Sequence, residues 1–348
     1  MSGDDTILLA HGGGGQLTAE LIEGVILPAL GDAGGQEPAC LADAAVLDPG
    51  AWCGGAAARL AMTTDTYVVQ PLEFPGGDIG TLAVCGTVND LAVAGATPRA
   101  MSMGLVLEEG LEISLLRRVL ESAGRVAVEA GVRVVTGDTK VVERGALNGV
   151  MINTAAVGEV SPRADLGFGR IGAGDAVVLS GPLGEHGLAV MCRRKGLGLA
   201  GHLASDCAAI HGLTADLIEA LGSDVHFMRD PTRGGLAATL VEIAAATGRD
   251  IQVRQQAIPV APAALAAAEM LGLDLLTIAN EGKLVAVVSA EAAENAVAIL
   301  ARHAIARRAV VIGQAGATAD VPIVEMLTAA GGRRVVQMPY GEDLPRIC

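Results

Sequence analysis

Between Leu111 and Ala130 the apolar residues recur at helical spacing. Leu115/Leu116, Val119/Leu120, Ala123 and Val126/Ala127 share one side of a 3.6-residue period, and Gly131 supplies a C-terminal stop. A second helix is predicted over Gly80–Ala94, rich in alanine and interrupted only by the polar pair Asn89-Asp90. That pair reads as a solvated face or, given its apolar flanks, as a carboxylate needing a cation or hydrogen-bond donors. Apolar runs predict strands at Asp43–Leu47, Leu60–Val69, Val132–Val135 and Val150–Val157, the first two carrying Asp43 and Asp65. A helix from Leu17 to about Leu30 follows four consecutive glycines.

After a glycine-rich linker, Asp165–Gly174, the alternation resumes. Strands are predicted at Ala176–Leu179, Leu284–Ser289 and Val310–Ile312. Helices are predicted after Ser180–Gly187 and over about 203–221, 232–247 and 291–302. Asp230 and Pro231 are expected to start the helix at 232. Strands and helices alternating in both halves predict two α/β sandwiches. The expected division is an N-terminal glycine-rich segment 1–40, a domain 41–160, a second domain 171–315 and a flexible tail 334–348.

Composition changes this picture in two ways. One Trp, two Tyr and three Phe leave the core to Ala, Val, Leu and Ile, and 47 glycines imply many tight turns and close backbone approaches. A net charge of −15 argues against nucleic acid and against an anionic membrane, so an anionic ligand would need divalent metal between it and the carboxylates. The cysteines, at 40, 53, 85, 192, 207 and 348, form no CxxC or metal-finger spacing and fit a reducing compartment. The acidic start Met-Ser-Gly-Asp-Asp and the lack of a long uncharged apolar run predict a cytoplasmic protein.

Several stretches carry candidate chemistry. Gly12, Gly13, Gly14 and Gly15 before a helix read as a backbone cradle for an anion, or as a loop without fixed structure. No Walker A sequence is present, and Ser, His and Asp occur in no nucleophile-elbow context. Thr136-Gly-Asp138-Thr-Lys140, at a predicted strand end, reads as a hairpin, or as one carboxylate for metal and one ammonium for phosphate. Met338–Cys348 is broken by Pro339, Gly341 and Pro345, so it reads as a tether ending in a thiol, or as a frayed terminus. Extended from Arg334, it spans roughly 45 Å at about 3.3 Å per residue.

Six of these pieces in order resemble the ATP-binding signature of the aminoimidazole-ribonucleotide synthetase (PurM-like) superfamily. They are Asp43-Ala-Ala-Val, Thr64-Asp65-Thr66, Asn89-Asp90-Leu-Ala, Gly137-Asp138-Thr-Lys140, Asp230-Pro-Thr-Arg233-Gly-Gly and Asn280-Glu281-Gly. With His11–Gly15 and Pro345-Arg-Ile-Cys348 added, the chain is similar to the carbamoyl dehydratase family of hydrogenase maturation factors. The resemblance implies a two-domain PurM-like α/β fold and a homodimer pairing through the sheets of its first domains. ATP would lie near that interface with Mg2+ held by Asp43, Asp65, Asp90 and Asp138. Gly12, Gly13, Gly14, Thr66, Asp230 and Arg233 would contribute to nucleotide binding.

It further implies that Cys348 receives a carboxamide from the carbamoyltransferase HypF and carries it to a thiocyanate. The cyano group would then pass to the iron of a [NiFe]-hydrogenase through HypC and HypD. Lys140 is the expected contact to the transferred phosphoryl group. Glu281 is the expected base, with a helix-capping or metal-ligating role as its alternative. Selenophosphate synthetases, thiamine-monophosphate kinases and a non-catalytic binding protein of this fold are the rivals. The first would need a reactive Cys or selenocysteine beside the N-terminal glycines, and His11–Gln16 has none. The second has no use for a terminal cysteine, and the third predicts missing aspartates.

Overall fold

The structure, a computed structural model, describes residues 6–8, 21–31, 59–197 and 203–337. Gly12, Gly13, Gly14, Asp43 and Cys348, with the strand expected at Asp43–Leu47, lie outside the described residues.

Helix α1 (Leu27–Leu30) continues a π-type turn, Ile22–Ile26. Strand β1 (Leu60–Tyr67) and a short pair, β2 (Glu73–Phe74) and β3 (Gly77–Asp78), lead into α2 (Ile79–Val93). Asp78 caps α2 by accepting from the Thr81 N–H at 2.8 Å, which satisfies one of the orphan donors of the first turn. Then come β4 (Ala96–Glu108), α3 (Ile113–Glu129), β5 (Arg133–Val142) and β6 (Val150–Val160). These strands form a four-stranded sheet in the order β1-β6-β4-β5, antiparallel except for the pair β4 and β5. Parallel pairing needs a crossover, and α3 supplies it. Leu116, Val119, Leu120 and Ala123 of α3 pack with Leu82 and Val88 of α2 on Met103, Leu105 and Ile152 of the sheet. The other face of this sheet carries no helix among the described residues. Met62, on that face, is 79% exposed.

The second unit comprises β7 (Ala176–Leu179), α4 (Glu185–Arg194), α5 (His211–Leu221), β8 (Val225–Arg229), α6 (Gly235–Thr247), β9 (Arg249–Arg254) and α7 (Pro262–Leu271). It continues with β10 (Val285–Val288), α8 (Ala293–Leu300), β11 (Val310–Thr318), β12 (Val324–Leu327) and β13 (Arg333–Val336). The sheet runs β13-β12-β9-β11-β7-β10-β8. Strands β7 and β10 are buried throughout because α6 covers one face and α5 with α8 the other. Coverage on both faces makes them continuous apolar runs rather than alternating ones.

Four expectations change. The 136–140 segment is not a hairpin at a strand end but the middle of β5, paired in parallel with β4. Residues 203–210 are irregular, and α5 begins only at His211. Helix α6 starts at Gly235, not at Asp230 and Pro231. The second sheet runs past residue 315 to Val336, so residues 334–336 belong to a strand rather than to the expected tail. Among the described residues no helix is long and apolar enough to cross a membrane.

Candidate active site

A cavity of about 160 Å³ opens where the two units meet. Asp65, Tyr67, Gly86 and Asp90 line it from the first unit, and Asp230, Thr232, Arg233 and Glu281 from the second. Side chains of a strand alternate between faces, so Thr63, Asp65 and Tyr67 of β1 turn together toward α2. The Thr63 hydroxyl donates to Asp90 Oδ2 at 2.8 Å, and the Tyr67 hydroxyl meets Thr87 at 3.3 Å, both on α2. The Asp65 carboxylate accepts from the Thr66 N–H at 2.7 Å, and Asn153 donates to the Asp65 carbonyl and the Thr66 hydroxyl. On the far side, Asp230 follows β8 directly. The Asn280 amide donates to the Pro231 carbonyl at 3.1 Å and accepts from the Gly184 N–H at 2.8 Å, tying three loops together. Gly235 allows this packing: its φ is +59°, and a Cβ there would strike the Leu276 and Ile278 carbonyl oxygens.

Burial and neighbouring carboxylates around this cavity disfavour the charge of Asp90, Asp230 and Glu281. Burial, then the Asp65 carboxylate, raises the Asp90 pKa against the Thr63 hydrogen bond. Burial, reinforced by Asp90, pushes Asp230 up to about 7. Glu281 is raised well above the ordinary carboxyl range, first by burial and then by Asp230 and Asp206. Its Oε1 is buried with no hydrogen-bond partner among the described residues. An orphaned buried carboxyl oxygen in an acidic cavity is the signature of a site that completes itself with a cation or a substrate proton.

The Asp230 shift has a consequence for stability. An acid raised in the folded state binds its proton more tightly there than in the unfolded chain. Its contribution is therefore neutral below about pH 4 and becomes increasingly unfavourable as pH rises from 3.8 to about 7. The nucleotide-free, metal-free protein is expected to melt at a lower temperature at pH 7.5 than at pH 5.5, and Asp230→Asn to flatten that slope. An unchanged slope in the variant, by differential scanning calorimetry, would contradict this placement of the charge.

Of the residues singled out from the sequence, Asp65, Asp90, Asp230, Arg233 and Glu281 line this one cavity. Asp138 and Lys140 do not. Strands β1 and β5 are opposite edges of the sheet, about 14 Å apart at ~4.8 Å per strand. Asp138 shares a row with Gly104, Asn153 and Thr66, on the open face, whereas Asp65 shares a row with Thr154, which bonds Thr87 of α2. The expected metal set of Asp43, Asp65, Asp90 and Asp138 is therefore not assembled among the described residues of one chain, where no three His, Cys, Asp or Glu side chains are placed to hold an ion alone. Thr66 lies on the open face with Asn153, next to the cavity rather than in it. Thr63, Asn89, Asn153 and Asp206 were not legible as site residues. Only the Asn89-Asp90 pair carried a signal, and it pointed to the aspartate.

The AIR synthase related protein N-terminal domain matches residues 41–160, and the corresponding C-terminal domain matches 172–324. A carbamoyl dehydratase HypE of Rhodobacter capsulatus is 46% identical over 345 residues, 99% of either chain. The solved structure of a hydrogenase maturation protein HypE in complex with ATP superposes with a TM-score of 0.91 at 42% identity, over 99% of this chain and 100% of that one. A HypE–HypF complex gives a TM-score of 0.77 at 40% identity, over 80% and 90%. The thiamine-monophosphate kinase of Stenotrophomonas maltophilia K279a shares the fold, with a TM-score of 0.59 at 20% identity, over 78% and 86%.

Proposed function

Because the chain belongs to the AIR synthase related family, in its branch of HypE hydrogenase maturation proteins, we propose that it is an ATP-dependent carbamoyl dehydratase acting on a carboxamide carried by its own Cys348. The observation that supports this reading best is the cavity between the units, where Glu281, its Oε1 without a hydrogen-bond partner among the described residues, faces Asp65, Asp90 and Asp230. The donor set fits magnesium, which takes one or two carboxylates and completes its shell with nucleotide phosphates rather than with an all-protein cage. Asp65 and Asp90 would hold it, and when bound it neutralises charge on the phosphates. Asp230, Thr232 and Arg233 close the far side around the nucleotide, and Gly12, Gly13 and Gly14 are assigned to its phosphates.

The chemistry asked of the chain is balanced by ATP: the S-carboxamide and ATP give the S-cyanide, ADP and phosphate. The carboxamide oxygen attacks the γ-phosphorus, which turns a poor leaving group into phosphate. Glu281 takes one nitrogen proton as the carbon–oxygen bond breaks, and the departing phosphate carries away the other. Its depth in the cavity strengthens it as a base and keeps water from the activated carbon. HypF is the carboxamide donor in this reading, and HypC with HypD the acceptor of the cyano group. ATP turnover tests it directly. The carbamoylated protein should release phosphate and the unmodified protein should not.

The same reading gives the open face of the first sheet to a second copy. Met62, Val106, Ala155 and Val157 give that face an apolar patch beside its polar row of Thr66, Asn153 and Asp138, and a two-fold pairing would cover it. Asp138 and Lys140, too far from Asp65 within one chain, would then reach the nucleotide from the partner copy, Lys140 on the transferred phosphoryl group. The division into domains 41–160 and 171–315 is kept, with the second extended to Val336. Light scattering at micromolar concentration should give twice the chain mass of 34.9 kDa. A monomer would leave the partner's Lys140 without a route to the site.

Asp90→Asn tests the nucleotide site. It removes a charge while keeping an acceptor for Thr63, so the fold should hold and the affinity for Mg-ATP should fall about tenfold or more, equivalent to ~1.4 kcal/mol. Calorimetric titration showing unchanged affinity would displace the site from this cavity.

A further inference from the structure

Glu281 is held by a group that the reaction above does not use. The Asp206 side chain is 3% exposed. Its Oδ1 accepts from the Glu281 N–H at 3.3 Å, and its Oδ2 accepts from the Gly282 N–H at 3.2 Å. The same Oδ2 lies 2.9 Å from the Lys283 ammonium, whose side chain is 4% exposed and which also donates to Glu185 Oε2 at 3.1 Å. The carbonyl of Glu281 is fixed from the other side by the Asn89 amide at 3.1 Å and the Ala208 N–H at 3.4 Å. Asn89 binds Ala208 and Ile210 with its remaining groups. Gly282 completes the fit, because a Cβ there would overlap the Asp206 carbonyl oxygen.

Residue 281 thus has both of its peptide groups tied by the 206–210 segment and by α2, and none by a strand of its own. A buried ion triad is a poor way to gain stability, since the desolvation of three charges offsets their attraction. What it fixes well is geometry, because each oxygen of a carboxylate has a defined donor. From this arrangement we infer that Asp206 is a positioning residue for the dehydration, with Lys283 as its counter-ion. It holds the 280–283 loop so that the Glu281 carboxyl enters the cavity beside Asp90. Helix α2 supplies both Asn89, which clamps the loop, and Asp90, which faces the cavity. The same clamp therefore sets the distance between base and nucleotide site. This rests on Glu281 being the base.

The test is a single-turnover measurement on the carbamoylated full chain. Asp206→Asn keeps the shape but cannot accept two N–H groups and an ammonium. The rate constant at saturating ATP should fall about tenfold or more, as expected when a reacting group is displaced by a fraction of an ångström to an ångström. The half-saturating ATP concentration should stay within about twofold. In a Glu281→Gln background the same substitution should change the residual rate by less than about twofold, because Asp206 acts through Glu281. Asp206→Asn/Lys283→Gln removes the stranded ammonium and serves if the single variant folds poorly. Its rate should stay low. A wild-type rate in either folded variant, or an undiminished effect of Asp206→Asn in the Glu281→Gln background, overturns the positioning role. A wild-type rate in Glu281→Gln itself overturns the base assignment instead.

Discussion

Cys348→Ala abolishes the entire reaction while leaving the folded protein as it was: this is the largest effect expected for a single substitution in this chain. With HypF, carbamoyl phosphate and ATP, the C-terminal peptide of the unsubstituted protein should first gain a carboxamide and then lose one water. The variant should show neither mass change. The substitution trims a single sulfur atom and touches no side chain of the four hydrophobic clusters of the described residues, built between Ile7 and Val336. Melting temperature, dimer mass and nucleotide affinity should therefore stay at their unsubstituted values. Cys85 and Cys192 are buried, and burial raises the Cys192 thiol pKa. Cys207 is raised well above the ordinary thiol range by its hydrogen bond to Cys85 and by burial. Burial shields Cys85, and the raised Cys192 and Cys207 thiols are poor nucleophiles, so none of the three should take the group in place of Cys348. Both mass changes appearing in the variant, mapped to another cysteine, would end the carrier mechanism without touching the fold.

Glu281→Gln is expected to slow dehydration by about 10²- to 10⁴-fold, the usual contribution of a positioned general base. The amide keeps the volume and can donate, so the cavity should not collapse. It cannot take a proton from the carboxamide nitrogen. Nucleotide affinity should not fall, because the substitution removes a carboxyl from an already acidic cavity. Carbamoylation of Cys348 should proceed normally, so the C-terminal peptide should accumulate as the carboxamide, with ATP bound and little phosphate released. A variant that dehydrates at the original rate would transfer the base role elsewhere and leave Glu281 as a structural carboxyl. Loss of ATP binding instead of loss of chemistry would make it part of the nucleotide site.

The acid-rich cavity also accounts for a composition that at first argues against an anionic ligand. The charge of −15 rules out simple attraction of phosphates. Arg233 lines the cavity, and in the proposed function a divalent cation held by Asp65 and Asp90 would make an ATP site tolerable there. The histidines stay outside this chemistry where the structure describes them. His226 pairs with Asp175 at 2.6 Å, His303 with Asp216 at 2.9 Å, and His186 meets Ser205 at 2.8 Å, each at a separate place in the fold.

Local pattern alone determined α2, α3, β7 and β10, because each is written in short-range signals: a 3.6-residue period, a cap, or an apolar run between turn residues. It also determined the pieces of the nucleotide signature, since a strand-borne Thr64-Asp65-Thr66 or a loop-borne Asn280-Glu281-Gly282 is a contiguous string. Strand β4 was missed although it is the centre of its sheet. Pro98 and Gly104 weaken its local strand signal, and pairing on both sides makes Ala96–Glu108 one strand. Which aspartates share a site was beyond any local reading. Asp65 and Asp138 look alike in sequence, each beside a threonine on an apolar strand. Strand order puts them on opposite edges, and the two-residue alternation puts them on opposite faces. Asp206 has no motif at all. It matters because the chain returns, 75 residues later, with Glu281 and Gly282 presenting two peptide N–H groups to its carboxylate, a coincidence that only the packed tertiary structure creates.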